Sequence, residues 1–362
     1  MQLGCTKKLL DYMKVNVDPV DTQLDPFLTW SANIITVNHR KTIVVANDSS
    51  RYGFVLYGIK SKDIKDFSQI VFDGIRSCLE VECIDPSLIE RYLKECKDSI
   101  TYTKTANPSV VARLNQLCTR VWWFVDEFSS DQLFQRQVVF KLNDDMIAMK
   151  DGDHRGYGYV YEKLGENFSK HYAMDPYRCK GAEFEIVLEL ESVCRRTITV
   201  PLNYTFHQFH TVIQKLFCWQ DHHLHDFWIE RHPNGHLKQT LVGFPREYDV
   251  EEESVRDDAS VFLWEIFPEH DHIIYNYDFG DNWIHHIRFL HLIDEYDKNH
   301  AVCIQGEGDA PPEDVGGPGE YARLLNILSD PQNPEYESMK TWYDPKFCLP
   351  FDLKWINLRL RR

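Results

Sequence analysis

No two of the ten cysteines are spaced as Cys-x-x-Cys, which excludes a zinc ribbon and a thioredoxin-type redox pair. Cysteines scattered in this way are expected to be reduced thiols of a cytoplasmic protein. Long hydrophobic runs are also missing. The longest, Val121-Trp122-Trp123-Phe124-Val125, falls far short of the roughly 20 residues that span a bilayer, so no membrane partner is expected. The opening residues Met1 to Lys8 hold no apolar stretch of the kind a signal peptide needs, although Leu3-Gly4-Cys5 has the outline of a lipoprotein box. There is no internal repeat or low-complexity tract, no P-loop, no dinucleotide fingerprint and no Ser/His/Asp signature. No motif, therefore, names a reaction.

What is present is an ordinary globular composition, unevenly charged. The chain has 362 residues, whereas one hydrophobic core seldom grows past about 250–300 residues, so two domains are expected. Residues 1–172 carry 22 Lys and Arg against 23 Asp and Glu, a net charge of −1. Residues 173–362 carry 18 against 33, a net of −15. A domain so acidic repels a phosphate backbone. Nonspecific nucleic-acid binding by the second half is thus disfavoured, whereas the first half could bind through Lys7, Lys8, Lys104 and Arg113 as phosphate contacts, although it holds no recognised DNA-reading motif.

The first half alternates strands and helices. Thr42-Ile43-Val44-Val45-Ala46 and Phe54-Val55-Leu56-Tyr57, separated by Asn47-Asp48-Ser49-Ser50, read as a hairpin. Apolar spacing predicts a helix over 66–79. A second is expected over 86–96, with Asp85 as N-cap and Pro86 at the first helical position, and a third opens at Asn107-Pro108. Around 143–158 the chain turns to Asp, Asn and Gly, including Asp151-Gly152-Asp153, as a loop or closing turns. The boundary is expected near Asp175-Pro176, giving domains 1–172 and 173–362. In the second half, 183–191 alternates as a strand with one acidic face, and Thr197-Ile198-Thr199-Val200 is a second strand. Thr205-x-x-Gln208 is a capping box for a helix that turns Phe206, Phe209, Ile213, Leu216 and Phe217 inward. Phe227-Trp228-Ile229 is a third strand. Strand, strand, helix, strand suggests an α+β fold opening as a β-grasp-like sheet.

Thirteen of the sixteen histidines lie between His207 and His300. His223 and His225, two apart, would share one face of a strand, a spacing seen in metal sites. The alternative is a pair of half-buried imidazoles bonded to backbone or carboxylate. In the run from Tyr275 to Trp283, Asp278 and Asp281 flank Gly280, expected at positive φ, and the next strand would align Trp283, His285 and Ile287. Asp278, Asp281 and His285 are either ligands and acid–base groups or turn-formers beside a core tryptophan. The Gly- and Pro-rich stretch 303–321 lacks the lysine of a P-loop, and its Glu307, Asp309, Glu313 and Asp314 suit a cation or a cationic partner.

Four blocks carry a resemblance: His210-x-x-x-Gln214; Trp219 with His223-Leu224-x-x-Phe227; Tyr277-Asp278-Phe279-Gly280-Asp281-x-Trp283-x-His285; and Pro311-Pro312-Glu313-Asp314-x-Gly316-Gly317. Through them the stretch from about 178 to 362 resembles the plasmid pRiA4b ORF-3-like family. Many relatives have a cysteine where this chain has Val315, which weakens a cysteine-based metal site. Residues 1 to about 170, with Thr6-Lys7-Lys8-Leu9 and Thr103-Lys104-Thr105-x-Asn107-x-Ser109, are similar to a separate bacterial domain of unknown function.

The family occurs on plasmids, mobile elements and chromosomes, without a settled activity. The expectation is a bacterial accessory protein docking a protein or ribonucleoprotein partner, by analogy within mobile-element or defence nucleic-acid machinery. The docking surface would be acidic and aromatic, drawn from His210, His223, His225, Asp278, Asp281, Trp283, His285, Glu313 and Asp314. The alternative is a metal-dependent hydrolase, with Zn²⁺ or Mn²⁺ held by His223, His225, Asp278, Asp281 and His285. A homodimer is compatible with either.

Overall fold

The computed structural model describes residues 1–96, 99–149, 156–230, 238–242, 255–343 and 350–361. The expected turn at Asp151-Gly152-Asp153 lies outside the described residues. Two compact units divide the chain, Met1–Arg178 and Cys179–Arg362. The sequence-based boundary was six residues earlier; residues 173–178 still bond into the first unit, where the Arg178 guanidinium pairs with Asp85 at 2.5 Å and Tyr177 bridges Ile84.

The first unit is built on a five-stranded sheet. Its elements are β1 (Gln2–Cys5), α1 (Lys7–Met13), β2 (Thr29–Val37), β3 (Arg40–Asn47), β4 (Gly53–Tyr57), α2 (Phe67–Val81), α3 (Pro86–Glu95), β5 (Thr101–Lys104), α4 (Pro108–Val121) and α5 (Arg136–Asn143), followed by β6 (Met146–Ala148), β7 (Tyr157–Tyr159) and α6 (Val160–Tyr172). The strand order is β4-β3-β2-β1-β5. The hairpin read from sequence is β3–β4, with Val44 opposite Val55. Its turn closes because the Asn47 carboxamide oxygen accepts the amides of Ser49 and Ser50. The expected caps are present: Asp85 accepts the Ser87 amide, and Asn107 accepts that of Val110. α2 buries Phe67, Val71, Ile75 and Leu79 at helical spacing against the sheet.

The second unit is also α+β. It contains β8 (Cys179–Leu188), β9 (Arg195–Pro201), α7 (Phe206–Leu216), β10 (His225–Glu230), β11 (Lys238–Val242), β12 (Val255–Asp257), α8 (Leu263–Ile266), β13 (His272–Tyr277), β14 (Trp283–Tyr296), β15 (Val302–Glu307), α9 (Gly317–Ser329), α10 (Tyr336–Trp342) and α11 (Leu353–Leu360). Eight strands pair in the order β12-β11-β10-β13-β14-β8-β9-β15, antiparallel except between β11 and β12. The unit opens strand, strand, helix, strand as expected. The later strands β13 and β14 lie between β8 and β10 in the sheet.

Alternation along β8 buries Ala182, Phe184, Ile186 and Leu188 and leaves the glutamates of the same strand on the other face. α7 lies on that apolar face. Its capping box is formed, with Thr205 Oγ1 accepting the Gln208 amide and Gln208 Oε1 accepting the Thr205 amide. Phe209 meets Phe184 at 5.3 Å between ring centroids, and Phe206 meets Phe227 at 5.0 Å. At the β15 edge, α11 sends in Asn357, which accepts the Cys303 amide and donates to the Cys303 carbonyl, both at 2.9 Å.

Candidate functional site

α7, the start of β10 and the turn after β12 bring a first set of polar groups under cover. Positions 207, 210 and 214 follow one another at three and four residues, so His207, His210 and Gln214 lie along one helix face. His210 is fully buried. One of its ring nitrogens meets the Tyr275 hydroxyl at 2.7 Å and the other meets Asp221 at 2.9 Å. Gln214 donates to the same hydroxyl and accepts the Asp221 amide, both at 3.0 Å. His225 stacks flat on His210, with centroids 3.5 Å apart and planes 5° apart.

The His225 ring nitrogen Nε2 lies 2.8 Å from Asp258 Oδ2, and His207 Nδ1 lies 3.5 Å from the same oxygen. Burial alone would raise the Asp258 carboxyl. The hydrogen bonds and charge of His207 and His225 outweigh it and hold the group well below the usual carboxylate range. For His210 the balance falls the other way. Burial pushes its imidazole down to about 4, against the opposing pull of Asp221.

The second set is half-exposed and draws on three segments. Trp219 stacks on Tyr277 at 5.1 Å and donates its indole N–H to the Pro311 carbonyl at 2.9 Å, pinning the proline loop beside the β13 end. Glu313 accepts the Tyr277 hydroxyl at 3.1 Å and the Gln220 amide at 2.7 Å. Burial, then the Glu313 charge, raises the Tyr277 phenol, so it remains a donor. Around His223 Nε2 stand Asp314 at 2.9 Å, Asp278 at 3.6 Å and Glu313 at 3.9 Å. Asp278 and Asp314 both hold positive φ, 55° and 59°, uncommon for residues bearing a side chain and a mark of positions held by their surroundings. Leu224, next to His223 in the chain, and Phe279, next to Asp278, are exposed.

The residues singled out from sequence therefore divide. Of the metal set His223, His225, Asp278, Asp281 and His285, only His223 and Asp278 meet. His225 turns to Asp258, because it begins β10 while His223 precedes the strand; the two share no strand face. Asp281 accepts the Gly316 amide at 3.0 Å and so ties the turn to the glycine pair before α9. Trp283, His285 and Ile287 do align on β14, all fully buried. His285 bonds the Trp283 carbonyl at 3.1 Å and packs edge-on to Phe217 and Trp219. Burial pushes it down to about 3, so it is no acid–base group near neutrality. Gly280 is not at positive φ; Asp278 and Asn282 on either side of it are. In the first unit Lys104 is in register with Cys5, at the sheet end that leads into Lys7 and Lys8, and Arg113 lies on α4 near Asp48.

Sequence reasoning did not single out His207, Asp221, Tyr275 or Asp258. The His207-x-x-His210 spacing on a capped helix was a usable signal for the first of these. Asp258 had none, since it sits in a short turn within a polar stretch.

An α+β unit with two His–carboxylate sets over an antiparallel sheet is the class that fold and geometry define. Residues 180–360 match the family described as plasmid pRiA4b ORF-3-like protein, and the chain belongs to that family. Residues 2–162 match a separate domain of unknown function, DUF6933. The chain is similar to the uncharacterized protein y4hQ of Sinorhizobium fredii, 26% identical over 155 residues, 42% of this chain and 75% of that protein. It is also similar to the crystal structure of a protein of unknown function, MM3350, from Methanosarcina mazei Go1. Identity there is 28%, covering 48% of this chain and 96% of the other, with a TM-score of 0.43.

Proposed function

We propose that the C-terminal unit is a docking module that takes a cationic side chain of a protein or ribonucleoprotein partner at the His223 face. The observation that carries this reading is the convergence of Asp278, Glu313 and Asp314 on one half-exposed imidazole, with Phe279 and Leu224 exposed beside them. A guanidinium suits such a face because it bonds carboxylates bidentately, and an adjacent apolar side chain would cover the phenylalanine. The net charge of −15 over residues 173–362 would steer a basic partner to it. The plasmid named in the family description supports a partner in mobile-element or defence nucleic-acid machinery. A second reading, a metal-dependent hydrolase, is favoured by the closeness of donor atoms of His223, Asp278 and Asp314, within 4.8 Å of one another.

Titration of the intact protein with short Arg–Leu and Arg–Phe peptides, against citrulline controls, tests the first reading. Arginine-dependent binding should weaken more than about tenfold in Asp314→Lys and fall with salt, as rim charge contacts do. Phe279→Ala should weaken it as well. Equal binding of arginine and citrulline peptides, or binding unchanged by Asp314→Lys, would overturn docking.

A further inference from the structure

We propose that His207, His225 and Asp258 form a separate site for a divalent transition-metal ion of the zinc type. The three come from different segments: the first turn of α7, the first residue of β10, and the turn that follows β12. Their donor atoms lie within 4.8 Å of one another. Ligands at about 2.0–2.1 Å from a tetrahedral zinc sit about 3.3 Å apart. The observed separations to Asp258 Oδ2, 2.8 Å from His225 and 3.5 Å from His207, bracket that value, so an ion enters with small side-chain shifts.

The state of Asp258 is a second and independent observation. Its side chain is fully buried, and its Oδ1 has no hydrogen-bond partner among the described residues. A buried carboxylate oxygen left unpaired is costly and calls for an explanation. His210 is stacked on His225 at 3.5 Å and stands 5.9 Å from His207. A metal ion neutralises Asp258 with both imidazoles uncharged, which is the form in which imidazole ligates. It can also engage Oδ1.

Two nitrogens and one carboxylate oxygen favour zinc over magnesium or calcium, which prefer oxygen alone. Three protein ligands leave a fourth position. It would open on the His207 side, where that side chain is 27% exposed while those of His225 and Asp258 are 5% and 0% exposed. His210, held by Tyr275 and Asp221, is not a ligand; it is a flat wall that fixes the plane of the His225 ring.

The test is calorimetric titration of the intact, chelator-stripped protein with Zn²⁺ and with Mn²⁺ at neutral pH. One Zn²⁺ per chain is expected, bound more tightly than Mn²⁺, with a rise in melting temperature on loading. Asp258→Asn and His207→Ala should each weaken Zn²⁺ by more than about tenfold, a loss that even outer partners of a ligand can cause. His207→Ala is the informative variant for folding, since it removes a partly exposed side chain. Asp314→Asn, at the other set, should leave the affinity unchanged. Co²⁺ in place of zinc should show a visible spectrum without thiolate charge transfer. No saturable Zn²⁺ binding, affinity unchanged in both ligand variants, loss in Asp314→Asn, or a thiolate band would each overturn the site. Peptide docking at the His223 face is read separately, so the two proposals fail independently.

Discussion

Burial drives the imidazoles of His285 and His210 far below their ordinary range, to about 3 and about 4. At neutral pH both are uncharged in the folded chain, whereas in the unfolded chain they titrate near 6.5. The unfolded chain therefore binds more protons between about pH 6.5 and 4. Stability is fully present above pH 6.5 and falls as the pH drops through that window. Each such group contributes a slope approaching about 1.4 kcal/mol per pH unit. Urea unfolding at pH 7 and pH 5 should show this loss, and His285→Phe should flatten the slope even if it changes stability at both. An identical slope in the variant would show that His285 is not buried in neutral form. The alignment of His285 with Trp283 and Ile287 was legible from strand alternation. Its missing role in a ligand set was not, because sequence does not say which face of β14 meets Phe217 and Trp219.

Local elements were the most legible part of the chain. The Thr205 capping box, the Asp85 and Asn107 caps and the β3–β4 hairpin follow from side chains acting within four residues, where sequence distance is spatial distance. The turn between β13 and β14 shows where such reading stops. Glycine is the usual occupant of positive φ, yet Asp278 and Asn282 take it. Asp278 can do so because its Oδ1 accepts the Gly280 amide at 3.0 Å, an Asx-type turn that an aspartate makes for itself. The glycine that needs its freedom is Gly317, at φ 84° with a would-be Cβ 2.7 Å from the Asp281 carbonyl oxygen. Gly317→Ala should destabilise by about 1–3 kcal/mol. Gly280→Ala, whose Cβ would meet only the Asp278 carboxylate at 3.2 Å, should change stability by less than about 1 kcal/mol. Chemical denaturation of the two variants checks the order, and equal losses would contradict it.

Across the whole molecule, sheets and cores respect the division at Arg178 and Cys179. Every strand of the five-stranded sheet precedes it and every strand of the eight-stranded sheet follows it. Residues 179–362 expressed alone should thus fold, with a cooperative thermal transition and the near-ultraviolet signal of buried Trp283 and Trp219. A molten or insoluble fragment would show that the second unit needs the first. The charge step and chain length made two domains legible, and the family blocks placed the second. The pairing of residues such as His225 with Asp258, 33 positions apart, was not legible, since it depends on how β10 and the β12 turn meet. One edge of the large sheet has a further consequence. The Asn357 carboxamide occupies both hydrogen-bonding groups of Cys303 on β15, behaving as a strand one residue long. A second copy of the chain could not extend the sheet past Cys303 without evicting that amide, so α11 works as a stopper against edge-to-edge polymerisation.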